Sequence, residues 1–199
     1  EVVRLGEWSI STEDDCNEDL VNEECADPVV DVFIEKQISH PKYSKKTGDN
    51  DIGLLRLEKN IEYTDYIRPI CLQIPNASLP QVGTSLMVAG WGTTENGTTA
   101  DIKMKLLVPV VSSAECAEKV KINGEVTDNQ LCAGGERKKD SCKGDSGGPL
   151  MGMKENKNSK PQWHQEGIIA WGVGCGRFGY PGVYTRVSRY IDWILENLA

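Results

Sequence analysis

Histidine is nearly missing from this sequence, with two among 199 residues. That scarcity, together with the lack of any C-x-x-C pair, argues against a structural zinc site, which needs four closely spaced Cys or His ligands. No apolar run approaches the length of a bilayer crossing, so a membrane partner is not expected. Positive charge is also short: 22 Lys and Arg stand against 30 Asp and Glu, a net charge of -8. A nucleic-acid binder would show a basic face, and this balance argues against one. Helical periodicity is scarce and no repeat period appears. Glu1 does not open a signal peptide, so the chain reads as a mature or cut piece of a soluble protein.

Seven cysteines are present at loop-like positions near Gly, Pro and Trp. They favour disulfides over metal ligands and hence an oxidising, extracellular setting; the odd count leaves one without a partner inside the chain. Asn76-Ala77-Ser78 and Asn96-Gly97-Thr98 are glycosylation sequons, which fit secretion. Short apolar runs separated by turn residues dominate: EVVRL, DVFIEKQI, GLLRL, SLMVAGW, MKLLVPVV, EGIIAWG and GVYTRV all read as strands. Only SRYIDWILENLA has helical spacing, with Ser188 a candidate N-cap and Tyr190, Ile191, Trp193, Ile194 and Leu198 forming one stripe. Many short strands and a closing helix predict an all-β antiparallel barrel or sandwich. Three stretches interrupt the rhythm. STEDDCNEDLVNEEC is an acidic loop, ICLQIPNASLPQVGT reads as a connector between two halves, and YSKKTGDN is an exposed loop just before DIGLLRL.

KKDSCKGDSGGPL is the stretch most suggestive of chemistry. Ser146 stands between Asp145 and Gly147, with Gly144, Gly148 and Pro149 around it. Glycines on both sides allow a strained turn and let backbone N–H groups approach a substrate carbonyl. A serine hydroxyl in that role needs a positioned base to take its proton. An ordinary Gly-Ser turn is the bland alternative, and it does not account for the whole GDSGGP run beside Cys142.

GDSGGP resembles the nucleophile motif of the chymotrypsin/trypsin family of serine proteases. DIGLLRL resembles the segment carrying the family's triad aspartate, GWG at Gly90–Gly92 the start of its second barrel, and AWGVGCG and PGVYTRV its pocket walls. The resemblance runs along the whole chain. It implies two six-stranded antiparallel β-barrels, the first incomplete here, and a C-terminal helix. Residues 1–69 would hold the rest of the first barrel, 70–84 the connector, and 85–199 the second barrel and helix. It also implies roles: Ser146 as nucleophile, the N–H groups of Gly144 and Ser146 as oxyanion hole, and Asp51 as the group orienting the base. Asp145 would be the zymogen switch, receiving a freed N-terminal amine. Asp140 would be an anion at the pocket floor selecting Arg or Lys, although a solvated Asp in the run ERKKD is the plain alternative. Ser141 would assist with Lys, Trp171 would form a wall, and Gly172 and Gly182 would keep the slot open.

Two departures from the family pattern stand out. Ala170 falls where the family usually carries a serine that supports the triad aspartate. The segment carrying the family's histidine is absent. His40, in ISHPKY, and His164, in QWHQEG, both sit beside strands in contexts without a catalytic look. Domains of this kind run to roughly 250 residues, so the base is expected in a preceding piece outside residues 1–199.

The resemblance pairs Cys116 with Cys132 and Cys142 with Cys175. Cys16 and Cys25, bounding a short loop, are expected to pair with each other. Cys71 remains, and it would join an N-terminal segment of the same protein. That cysteine and the bridged acidic loop resemble the arthropod clip-domain proteases of the Easter and prophenoloxidase-activating group. No cofactor is required by this chemistry. Calcium is an optional ligand of the acidic loop, through Glu7 and Asp15 among Glu13, Asp14, Glu18, Asp19, Glu23 and Glu24; a merely solvated loop is the equal alternative. The function expected is that of a secreted endopeptidase acting on a protein substrate, another zymogen, with serpin-type inhibitors as further partners. The alternative is an inactive homologue that binds partners.

Overall fold

The computed structural model describes residues 1–17, 24–156 and 159–198. The first part holds β1 (Val2–Leu5), a short hairpin of β2 (Cys16–Asn17) and β3 (Glu24–Cys25), β4 (Val30–Ser39) and β5 (Gly53–Leu57). β4 runs antiparallel between β1 and β5 in a three-stranded sheet, Val3 facing Val32 and Ile38 facing Leu54. This is the incomplete first barrel that the resemblance implies. Glu18, Asp19 and Glu23 of the acidic loop lie outside the described residues.

The connector contributes β6 (Cys71–Leu72). Then follow β7 (Ser85–Gly90), β8 (Met104–Val111), helix α1 (Ser113–Val120), β9 (Gln130–Gly134), β10 (Pro149–Asn156), β11 (Ser159–Trp171) and β12 (Pro181–Arg186). The hydrogen-bonded order is β10-β7-β8-β9-β12-β11, and β11 pairs back onto β10, which closes a six-stranded barrel. β6 lies parallel on the outside of β11, with Cys71 opposite His164. Closure leaves no free edge among the six strands. Alternate residues of each strand point inward, as the pleat requires. Leu86, Val88, Val108, Val110, Leu131, Ala133, Leu150, Ile169 and Tyr184 form the interior. Sealing a side chain of the size of Leu150 or Val108 stabilises by about 1.5–3 kcal/mol.

Two barrel strands and a helix are missing from the sequence reading. β9 is buried along its whole length, because α1 covers its outer face with Cys116 and Val120. A strand buried on both faces shows no alternation, and QLCAG also lacks β-branched residues. β10 begins on a proline and ends in charged and polar residues, so its apolar signal is brief. α1 had a readable start: the Ser112 hydroxyl accepts from the Glu115 N–H, the S-x-x-E capping arrangement. The C-terminal element is also corrected. Val187–Arg189 form a 3₁₀ turn, and the closing helix α2 is only Ile191–Glu196. Ser188 lies inside that turn, buried, accepting from Arg186 Nε at 3.1 Å, and caps nothing. Leu198 is exposed, and the buried stripe is Tyr190, Ile191 and Ile194.

That stripe joins the two parts. Tyr190, Ile191, Ile194 and Val187 pack with Ile52, which directly precedes β5. Polar bonds reinforce the joint: Gln130 Nε2 donates to the Gly48 carbonyl, Thr127 Oγ1 and Asn129 Nδ2 donate to Asp49 Oδ1, and the Tyr190 hydroxyl donates to Asn50 Oδ1. The loop carrying Asp51 is thereby held on the second barrel as well as on its own sheet, where the His40 N–H donates to Ile52 O.

Candidate active site

Ser146 is exposed in a loop between β9 and β10. The loop is shaped by tight turns, with Asp145 N–H donating to Cys142 O and Gly148 N–H to Asp145 O, and by Gly147 N–H reaching Ile169 O on β11. Gly144 sits at φ +97°, and a Cβ there would come 3.1 Å from Gly92 Cα, so only glycine fits. The N–H groups of Gly144 and Ser146 take no partner among the described residues. Two free donors beside an exposed hydroxyl are what a developing oxyanion would need.

Beneath Ser146 opens a cavity of about 220 Å³. It is lined by Ser146, Asp140, Ser141, Trp171, Gly172 and Gly182, which brings together the serine expected to be the nucleophile and every pocket residue named from the sequence. Asp140 Oδ2 accepts from the Gly176 N–H at 3.1 Å. Burial pushes the Asp140 carboxyl up to about 6, with backbone donation from Gly176 and Ser141 working in the opposite direction. A carboxylate costly to desolvate alone is one that gains from a cation brought into its slot. The disulfide Cys142–Cys175 ties the Ser146 loop to the segment that carries Gly176. Tyr184 is fully buried in the core next to Gly182, whose added Cβ would sit 3.2 Å from the phenol oxygen. Tyr184 thus backs the slot, a role hidden in a strand read only as a wall.

Asp51 lies in a neighbouring cavity of about 530 Å³, which shares Ala170, Trp171 and Gly172 with the slot. Burial raises its carboxyl above the ordinary range. Ala170, lacking a hydroxyl, offers it no side-chain donor. The support reaches the backbone instead: Thr185 Oγ1 donates to Asp51 O at 2.7 Å. Neither histidine lines either cavity. The His40 ring meets the edges of Tyr190 and Trp193, and its Nδ1 accepts from the Lys42 N–H. Burial lowers the His40 pKa. His164 lies on β11 with Nδ1 3.1 Å from Gln162 O.

Asp145 points away from Ser146. Its Oδ1 accepts from the Gly92 N–H at 2.8 Å and its Oδ2 from the Cys142 N–H at 2.9 Å. A Cβ at Gly92 would lie 2.4 Å from Asp145 Cγ, and one at Gly90 would lie 2.2 Å from Oδ1, so GWG is shaped to seat this carboxylate. Beside it is a cavity of about 250 Å³ with Val88, Ala89, Met104 and Leu106 on its walls and Asp145 and Asp140 on its polar side.

The other disulfides are Cys16–Cys25 and Cys116–Cys132, and Cys71 is a free, half-buried thiol 3.7 Å from Gln162 Oε1. Asn76 and Asn96 are both exposed. Asn76 Oδ1 accepts from Arg189, while Asn96 lies in the turn between the bridged Thr93 and Thr99. Among the described residues, Glu7 and Asp15 are not joined by a third acidic, His or Cys ligand in one cluster. Glu7 Oε1 accepts from the Trp8 N–H and Oε2 from Arg4. Asp15 Oδ2 accepts from the Trp8 N–H and Oδ1 from the Ser9 N–H. Through these two bonds Asp15 clamps the turn at Trp8 and Ser9.

The trypsin family model matches residues 19–194, and the chain belongs to the trypsin family. Within that family its similarity is to insect clip-domain serine proteases. It is 47% identical over 199 residues to phenoloxidase-activating factor 1 of Holotrichia diomphalia, covering 98% of this chain and 53% of that protein. It is 44% identical over 202 residues to the CLIP domain-containing serine protease HP8 of Bombyx mori, with the same coverage. Among solved structures, the Drosophila Grass clip serine protease of the Toll pathway superposes with a TM-score of 0.81 at 39% identity, covering 97% of this chain and 55% of that one. The chain spans about half the length of the curated relatives it matches.

Proposed function

We propose that this chain is part of a secreted serine endopeptidase that cleaves after Arg or Lys in a protein substrate, itself a zymogen of an extracellular cascade. The observation that carries this reading is the single cavity with Ser146 at its mouth and the half-buried Asp140 within it. A cationic side chain entering to meet Asp140 brings the following carbonyl to the serine hydroxyl. Ser146 Oγ attacks that carbonyl and gives its proton to an imidazole supplied from outside residues 1–199, and Asp51 orients and stabilises that imidazole. The negative charge on the carbonyl oxygen is held by the N–H groups of Gly144 and Ser146. Collapse expels the amine, which takes the proton back, and water then hydrolyses the acyl-serine by the same route.

Asp145 is the switch of this reading. An N-terminal residue with an apolar side chain suits the cavity walled by Val88 and Leu106, and its ammonium would pair with the Asp145 carboxylate. That pairing would hold the Ser146 loop in its working shape. Cys71 would join the catalytic part to an N-terminal segment, serpin-type inhibitors would act at the Ser146 slot, and Asn76 and Asn96 would carry glycans. The relatives named as phenoloxidase-activating support a zymogen as substrate. The test is turnover of peptide amides by the activated full-length protein. Arg substrates should be cleaved and benzamidine should inhibit, while Asp140→Ser should lower kcat/KM for Arg by several orders of magnitude. Equal turnover of Phe and Arg amides by the parent would sink the reading.

A further inference from the structure

The cavity beside Asp51 is bordered by two lysines. It is bounded by the loop Tyr43–Asp51 on one side and by Ile122, Asn123 and Trp171 on the other. Lys45 and Lys46 both line it, and both are exposed. Neither makes an ion pair among the described residues. Of the two acids on the same loop, Asp49 is committed to Thr127, Asn129 and Asn50, and Asp51 lines the cavity with the lysines. In a chain of net charge -8, two exposed ammonium groups set against the single carboxyl of Asp51 make this cavity locally basic.

The shape of the cavity depends on Gly48. At φ +65° it has no side chain, and an added Cβ would come 2.9 Å from Trp171 Nε1. The Nε1–Cδ1 edge of the indole therefore packs directly on the loop at Gly48. Because Ala170, Trp171 and Gly172 border both cavities, a chain anchored at Asp140 with its scissile carbonyl at Ser146 passes along that shared rim. The residues before the cation then hang over the lysine-lined space.

We infer that Lys45 and Lys46 are specificity-determining residues that select an acidic side chain among the three residues preceding the Arg or Lys at the cleavage site. This rests on the proposed cleavage after a basic residue. Solvated charge pairs of this type are individually modest, so a preference of about threefold to tenfold in kcat/KM over a neutral peptide is expected. It should shrink as salt rises, since the ammonium groups are exposed.

The experiment compares amide peptides ending in Arg, with Asp, Ala or Lys at each of the three preceding positions, on the activated full-length protein. Asp should be the best at one or more of those positions and Lys the worst. The double variant Lys45→Glu, Lys46→Glu should invert the ratio of Asp to Lys peptides, and Lys45→Arg, Lys46→Arg should restore it. Cleavage of the Ala peptide with no gain from Asp at any position overturns the inference and leaves the Arg reading standing. Loss of the Asp preference in the double-arginine variant also overturns it. Failure to cleave any Arg peptide overturns both readings.

Discussion

Thr185 Oγ1 donates to the backbone carbonyl of Asp51 at 2.7 Å, across 134 positions of sequence. A buried threonine in the strand that also carries Tyr184 thus fixes the residue proposed to orient the base. Thr185→Val keeps the shape and removes the donor. Leaving the partner carbonyl unsatisfied costs about 1–3 kcal/mol. We expect a lowered Tm and a kcat reduced more than KM, measured on Arg peptide amides; an unchanged kcat would show that Asp51 is positioned without this bond.

Asp140 as the proposed cation site is expected to set a pH dependence for binding. Burial raises its pKa to about 6 in the empty slot, and a bound cation lowers it, so binding releases a proton below that pH. Benzamidine affinity is therefore complete above about pH 7 and falls as pH drops through 6. At pH 5 it should be weaker by about tenfold, since each pH unit below a titrating pKa changes the ionised fraction by that factor. Calorimetry or probe displacement measures this without relying on turnover. An affinity flat from pH 7 to 5 would place the cation elsewhere.

Gly92 and Asp145 form a second coupled pair. Gly92→Ala would put Cβ within 2.4 Å of Asp145 Cγ, against a carboxylate held by two backbone donors. Overpacking of this kind costs about 1–3 kcal/mol. Because the displaced group bounds the Ser146 loop, activity should fall at least tenfold while the three disulfides still form. Loss of stability without loss of activity would separate Asp145 from the loop.

Asp15 is expected to act through hydrogen bonds. Asp15→Ala leaves the Ser9 N–H without its acceptor and the Trp8 N–H with Glu7 alone, and should destabilise by about 2 kcal/mol, the scale of bonds to a charged acceptor. A chelator should leave the thermal transition of the parent in place. A Tm lowered by chelation and restored by calcium would show that the carboxylates rearrange around a metal.

GDSGGP, DIGLLRL, GWG and PGVYTRV were legible because each needs particular residue types in a short span, whatever surrounds them. Glycines around Ser146 and the seating of Asp145 against Gly92 are local steric requirements, so they appear as local motifs. The same holds for the alternating strands β7 and β8, each with one face in the barrel core. β9 was not legible, because α1 covers its outer face and erases the alternation. Ser188 looked like a cap because its type favours that role, but the packing of Tyr190, Ile191 and Ile194 on Ile52 shifts the helix start past it.

The amino-acid order by itself determined which side chains can do chemistry and which backbone turns can present them, since those properties belong to residues and their immediate neighbours. Tertiary structure alone decided that Asp15 spends its oxygens on N–H groups, that Tyr184 backs the Asp140 slot, and that Lys45 and Lys46 face the same cavity as Asp51. Each of these depends on groups tens of positions apart, or on a turn's closure, meeting at a few ångströms. Such meetings are set by barrel closure and by the joint between the two parts, and no short stretch of sequence encodes them.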